Sequence, residues 1–141
     1  MKAKEYLSQV KKLNVLIQNK LFEKEQLLAL ATSVTQKLSA ERVQTSPNPD
    51  KMTDAVHKII MVEAETDALI DKYVDIKREV IMTIERLSAG EYDLLHKVYI
   101  QGCTLDEYAI TCDKSYGWAK NKHSRALKKV QRMINGRERK Q

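Results

Sequence analysis

Turn-forming residues are scarce in this chain, which has 4 Gly and 2 Pro in 141 residues. So few breaks exclude a many-turned β sandwich or barrel. There are two cysteines, Cys103 and Cys112, too few to staple a secreted domain and in keeping with a reducing cytoplasm. No window reaches the roughly 18 uncharged apolar residues of a membrane span, and the opening Met1-Lys-Ala-Lys-Glu5 lacks the apolar stretch of a signal peptide. A cytoplasmic protein without a membrane partner is therefore expected. The cysteines stand alone as a pair, and His57, His96 and His123 have no metal-ligand spacing. No glycine-rich phosphate loop, nucleophile elbow or Ser/His/Asp constellation occurs. The expectation is a protein that is not an enzyme and holds neither metal nor cofactor.

What is present is helical. Hydrophobic residues make up 43% and charged residues 31% of the chain, with Lys, Glu, Leu, Ala, Gln and Ile prominent, the composition of long helices and of an all-α fold. The net charge of +6 is unevenly spread. Residues 113–141 carry 10 basic and 2 acidic side chains, whereas residues 51–112 carry 7 basic and 12 acidic ones. The whole excess resides in the C-terminal segment, which points to a polyanionic partner there.

From Lys2 to Arg42, apolar residues recur at alternating spacings of three and four: Ala3, Leu7, Val10, Ile17, Leu21, Leu28, Ala31 and Leu38. This is a heptad seam, with Asn14 on it as a register-setting polar residue and Lys24 and Thr35 weakening it. Leu13, Leu16, Phe22, Leu27 and Leu30 widen the stripe, so the helix meets more than one neighbour. Thr45-Ser-Pro-Asn-Pro-Asp50 breaks the pattern. A second long helix, capped by Asp50 or Thr53, then runs to about Leu87, and its polar middle, Glu63-Ala-Glu-Thr-Asp67, predicts loose or wet pairing. The simplest assembly of residues 1–87 is an antiparallel, coiled-coil-like helical hairpin that oligomerises into a homodimer or higher homo-oligomer.

Residues 88–141 form a second domain. Ser88-Ala-Gly-Glu91 is a capping box for a helix through Tyr92, Leu94, Leu95, Val98, Tyr99 and Ile100, closed by Gly102 in a left-handed cap. Thr104 caps a short helix, Leu105 to Ile110, and Ser115 caps a last one from Tyr116 to Ile134, ending at Asn135-Gly136. Three short helices, the last strongly basic, outline a helix-turn-helix.

The run Leu87-Ser-Ala-Gly-Glu-Tyr-Asp-Leu-Leu-His-Lys-Val-Tyr-Ile-Gln-Gly102, followed by Thr104-Leu-Asp-Glu-Tyr-Ala109, Ser115 and Arg125-Ala-Leu127, resembles region 4 of bacterial RNA polymerase sigma factors. It departs at Tyr108, where Ile is common, at Cys112, where the turn usually carries Gly, and at Trp118-Ala119. The resemblance covers the C-terminal third of the chain. A long helical N-terminal part joined to such a module is similar to the small phage-encoded regulators of late transcription of the ArpU and RinA groups. This implies a DNA-binding transcription regulator in a bacterial host cell, an activator of late genes that acts through its own operator or by contact with host RNA polymerase.

The helical wheel divides the last helix without the resemblance. Ala119, His123, Ala126, Leu127, Val130 and Ile134 share one face, expected to pack on Leu94, Leu95, Val98, Leu105 and Ala109. The opposite face presents Tyr116, Gly117, Lys120, Asn121 and Ser124, the expected base-reading set, with Asn suited to adenine, Lys to guanine and Gly117 permitting close backbone approach. Lys114, Ser115, Lys122, Arg125, Lys128 and Lys129 are expected on phosphate. Positions matching Tyr116, Gly117, Lys120 and Asn121 face the groove in sigma region 4. Cys112 is expected as a packed turn residue, His123 in or at the edge of the core, and Trp118 packed on the first helix of the module, with a place along a sugar-phosphate strand as the alternative. Two other readings compete: a phage small terminase subunit, which also joins a helix-turn-helix to oligomerising helices, and a coiled-coil adaptor that binds RNA polymerase.

Overall fold

The computed structural model describes the backbone of residues 1–40 and 49–141 and the side chains of residues 1–33 and 52–141. Most of the described residues are helical, and none of them forms a strand. The elements are α1 (Ala3–Ala40), α2 (Pro49–Ile84), α3 (Ala89–Leu95), a π-helical turn that prolongs it (His96–Ile100), α4 (Leu105–Thr111) and α5 (Tyr116–Glu138). They form two compact units, a terminal one of Met1–Asn14 with Tyr73–Gln141 and a central one of Val15–Lys72. The unit that carries residues 88–141 thus also takes in the first turns of α1 and the last turns of α2.

Several boundaries differ from expectation. α2 begins at Pro49, so Asp50 and Thr53 lie inside its first turns. Proline suits the first helical position, where an unbonded N–H would be left anyway. Most of the proline-containing break, residues 45–48, lies outside the described residues, as do the side chains of Thr35 and Leu38. α5 passes Asn135-Gly136 and continues to Glu138. The glycine keeps a negative φ, and Arg137 in the added turn is anchored to α1 and α2.

The side of α1 with the lowest exposure runs through Ala3, Tyr6, Val10, Leu13, Ile17, Lys20, Lys24, Leu27 and Ala31. Ala3, Leu7, Val10 and Ile17 of the expected seam are buried, Leu7 completely, and beyond Ile17 the less exposed side follows Lys20 and Leu27 in place of Leu21 and Leu28. Asn14, Leu21 and Leu28 fall outside it and are exposed, and Lys20 and Lys24 are the polar seam positions. In the central unit Lys20 Nζ meets Glu65 Oε2 at 2.7 Å and Lys24 Nζ meets Glu63 Oε1 at 2.9 Å. These acidic residues of the polar middle of α2 are therefore ion-pair partners for the seam lysines. Thr66 occupies the inward position between them, 4% exposed, and its hydroxyl donates to the Val62 carbonyl at 2.7 Å. The hydroxyl is satisfied within the helix.

The terminal unit has a core that neither half of the sequence builds alone. Ala3, Tyr6, Leu7 and Val10 of α1, Val80 and Ile84 of α2, Leu95 and Tyr99, and Ala126, Val130 and Ile134 of α5 are buried together. Beside them the Tyr6 hydroxyl donates to Glu79 Oε1 at 3.1 Å and lies 3.0 Å from the buried Thr83 hydroxyl, while Arg137 donates to Tyr6 at 3.3 Å and to Thr83 at 2.9 Å. The Ala3 amide donates to Gln131 Oε1 at 2.6 Å. A smaller cluster of Leu94, Tyr108, Ala109 and Ala119 joins α3, α4 and α5. The apolar face of α5 is therefore shared: its first half packs on Leu94 and Ala109 as expected, and its second half on α1 and α2, which was not expected.

Candidate nucleic-acid interface

The α4–α5 connection is set by local chemistry. Thr104 Oγ1 accepts from the Glu107 amide at 3.2 Å, and Glu107 Oε2 accepts from the Thr104 amide at 3.4 Å, a complete capping box. At the other end of α4, Lys114 N–H bonds to the Ala109 carbonyl at 2.9 Å and Asp113 N–H to the Ile110 carbonyl at 3.1 Å. That is a Schellman closure with Asp113 in the left-handed position, φ 55°. The strained residue is Asp113, one beyond Cys112, and Cys112 keeps an ordinary φ of −88°. This is why the turn tolerates a cysteine there. Ser115 then caps α5, its Oγ accepting from the Trp118 amide at 3.2 Å.

With Ala119, Ala126, Val130 and Ile134 buried, the other side of α5 must face outward. Tyr116, Gly117, Lys120, Asn121 and Ser124 are all exposed, Tyr116 by 50%. A Cβ at Gly117 would meet only the Ser115 hydroxyl, at 4.0 Å, so a surface can approach this backbone closely. Lys114, Ser115, Arg125, Lys128 and Lys129 are exposed as well, with Arg125 Nε donating to the Asn121 carbonyl at 3.4 Å.

Lys122 is half-buried and turned into the fold. Its Nζ donates to the Tyr108 hydroxyl at 3.1 Å and sits 4.8 Å from the Trp118 ring centroid. Trp118 stacks on Tyr108 of α4 with an interplanar angle of 2° and packs against the cluster that also holds Leu94 of α3, the first helix of the module. Burial pushes the Tyr108 hydroxyl up to about 12. It stays protonated beside the lysine. His123 is half-buried against Tyr99, and burial lowers its proton affinity, with Lys4 acting in the same direction.

Two residues of this surface were not expected in it from the sequence, where Glu91 appears only as part of a capping box. Arg132 extends the series Arg125, Lys128 and Lys129 by the same helical spacing. Glu91, on α3, reaches across to Lys129 Nζ at 2.5 Å. Its capping box forms only in half: Ser88 Oγ accepts from the Glu91 amide at 3.4 Å, but the Glu91 carboxylate takes the Ser88 hydroxyl at 3.0 Å and not the Ser88 amide. The Lys129 bond holds the Glu91 carboxyl below the usual carboxylate range against the opposing effect of its burial. Together these side chains line a cavity of about 250 Å³ between α3 and α5.

Among the described residues no group of three or more His, Cys, Asp or Glu side chains could hold a metal ion, and no helix is long and apolar enough to cross a membrane. Comparison of the chain with protein-family models, with curated proteins and with solved structures finds no match.

Proposed function

We propose that this chain is a sequence-specific DNA-binding transcription regulator in which α4 and α5 act as a helix-turn-helix and α5 enters the major groove. One observation carries the reading. Opposite its buried alanine and valine stripe, the first two turns of α5 expose a polar face that includes Asn121 and Lys120, while cations at 125, 128 and 129 flank it further along. Base-edge readers at the N-terminal end and phosphate grippers beside them are what a recognition helix requires. The likeness of residues 87–127 to sigma region 4 supports the same docking, and regulation of phage late genes follows from it.

The long helices supply association. α1 residues pair with α2 residues of falling number, Lys20 with Glu65 and Lys24 with Glu63, as in an antiparallel hairpin. With the inward seam filled, Leu16, Leu21, Phe22 and Leu28 on α1 and Val56, Ile60 and Met61 on α2 remain 39–62% exposed. Such a load of apolar surface on one helix pair is suited to a second copy of the chain.

Selection of bound duplexes from random DNA tests the reading. A recurring motif whose retention is lost with Asn121→Ala is expected. Failure to retain any duplex at low salt, with capture of RNA polymerase in its place, would overturn it in favour of an adaptor.

A further inference from the structure

The cavity between α3 and α5 gathers five cationic side chains, Lys122, Arg125, Lys128, Lys129 and Arg132, around one carboxylate, Glu91. Lys122 is committed to Tyr108 and Trp118, and Lys129 is bound by Glu91. The Glu91 side chain is only 14% exposed, whereas that of Lys129 is 50% exposed. Glu91 Oε1 accepts from both Lys129 and the Ser88 hydroxyl, and Oε2 is buried without a hydrogen-bond partner. A carboxylate half-satisfied inside a ring of cations occupies the place of an external oxyanion. A backbone phosphate carries the same single charge and offers two acceptor oxygens, so it can replace the carboxylate on Lys129 without changing the local charge.

We propose that this cavity seats one backbone phosphate of duplex DNA and that Glu91 is the internal anion which that phosphate must displace from Lys129. The proposal rests on the DNA-binding reading above. A tethered carboxylate competes at high effective concentration, and its effect depends on how firmly the duplex is held. On random DNA, with no base contacts to fix α5 in the groove, Lys129 stays with Glu91 and one phosphate contact is forgone. At the specific site, base contacts hold the phosphate over the cavity and the exchange goes forward. Glu91 is then a specificity-determining residue that suppresses background binding without touching a base.

Titration of the full chain with a random-sequence duplex over a series of KCl concentrations tests this. Glu91→Gln keeps the shape and the hydrogen bond to Ser88 but frees Lys129. It should raise random-duplex affinity by roughly tenfold, the scale of one charge-assisted contact, and steepen the salt slope by about 0.9. The double variant Glu91→Gln/Lys129→Gln, neutral at both positions like the native pair, should return both quantities to the wild-type values. If the wild type binds duplex and Glu91→Gln binds it identically, the proposal fails and the DNA reading stands. If the double variant keeps the gain, Lys129 is not the cation released and the proposal fails. If neither wild type nor Glu91→Gln binds any duplex, both fall together. Should Glu91→Gln misfold, the wild type itself decides. Followed by carbonyl carbon NMR, the Glu91 carboxyl should titrate at higher pH in the complex with a selected duplex than in the free protein, and an unchanged titration would overturn the exchange.

Discussion

The Tyr99 hydroxyl and His123 Nε2 lie 2.8 Å apart with their rings stacked at 5.8 Å, which ties the π-helical turn to the middle of α5. Burial pushes Tyr99 up to about 12 and lowers His123. The folded protein therefore binds the His123 proton less readily than the unfolded chain, whose histidine titrates near about 6.5. Stability from this group is complete above that value and is lost as pH falls through the lower folded value. Thermal melts should show stability declining on acidification below about pH 6.5, and His123→Gln should flatten that decline. Parallel curves for the two proteins would show that His123 is not the group responsible.

Leu7 and Phe22 both sit on α1 but should behave in opposite ways. Leu7 is fully buried, and Leu7→Ala should cost about 2 to 5 kcal/mol of terminal-unit stability, including that of α5. Phe22 is 60% exposed in the central unit. Phe22→Ser should leave the melting of a dilute sample nearly unchanged while weakening self-association, as read by sedimentation at several concentrations.

On the proposed docking of α5, reading and gripping are separable. Asn121→Ala should cost about 1 to 3 kcal/mol at a selected site and much less on random DNA. Lys128→Ala should weaken both alike and lower the salt slope by about one per bound module. If filter binding shows the ratio of specific to random affinity moved by Lys128→Ala and not by Asn121→Ala, α5 is docked in another orientation.

Gly136 has a helical backbone and nothing within 4 Å of where a Cβ would stand. Gly136→Ala should therefore stabilise the protein by about 0.5 to 1 kcal/mol in denaturant titration. Arg137→Ala should act in the other direction, since it removes a donor from the buried Thr83 hydroxyl.

The helical class, the caps at Ser88, Thr104 and Ser115 and the outward set on α5 were legible because each depends on spacing within a few residues. The phase of α1 beyond Ile17 was not. There Leu21 and Leu28 make as good a seam on paper as Lys20 and Leu27, and the choice is made by α2, where Glu63 and Glu65 stand ready for Lys24 and Lys20. The end of α5 was misread at Asn135-Gly136 because the contacts of Arg137 with Tyr6 and Thr83 span 131 and 54 positions of the sequence. Glu91 was legible as a cap but not as a partner of Lys129, which depends on how α3 crosses α5.

The core that seats α5 joins Tyr6, Leu7 and Val10 to Ala126, Val130 and Ile134, more than a hundred positions further along the sequence. Tyr6, Leu7 and Val10 have no Ala126, Val130 or Ile134 to close on until translation has passed residue 134. At cellular elongation rates that wait is on the order of ten seconds. A message cut short within α5 would yield a chain with both long helices but an open core and no docked basic helix.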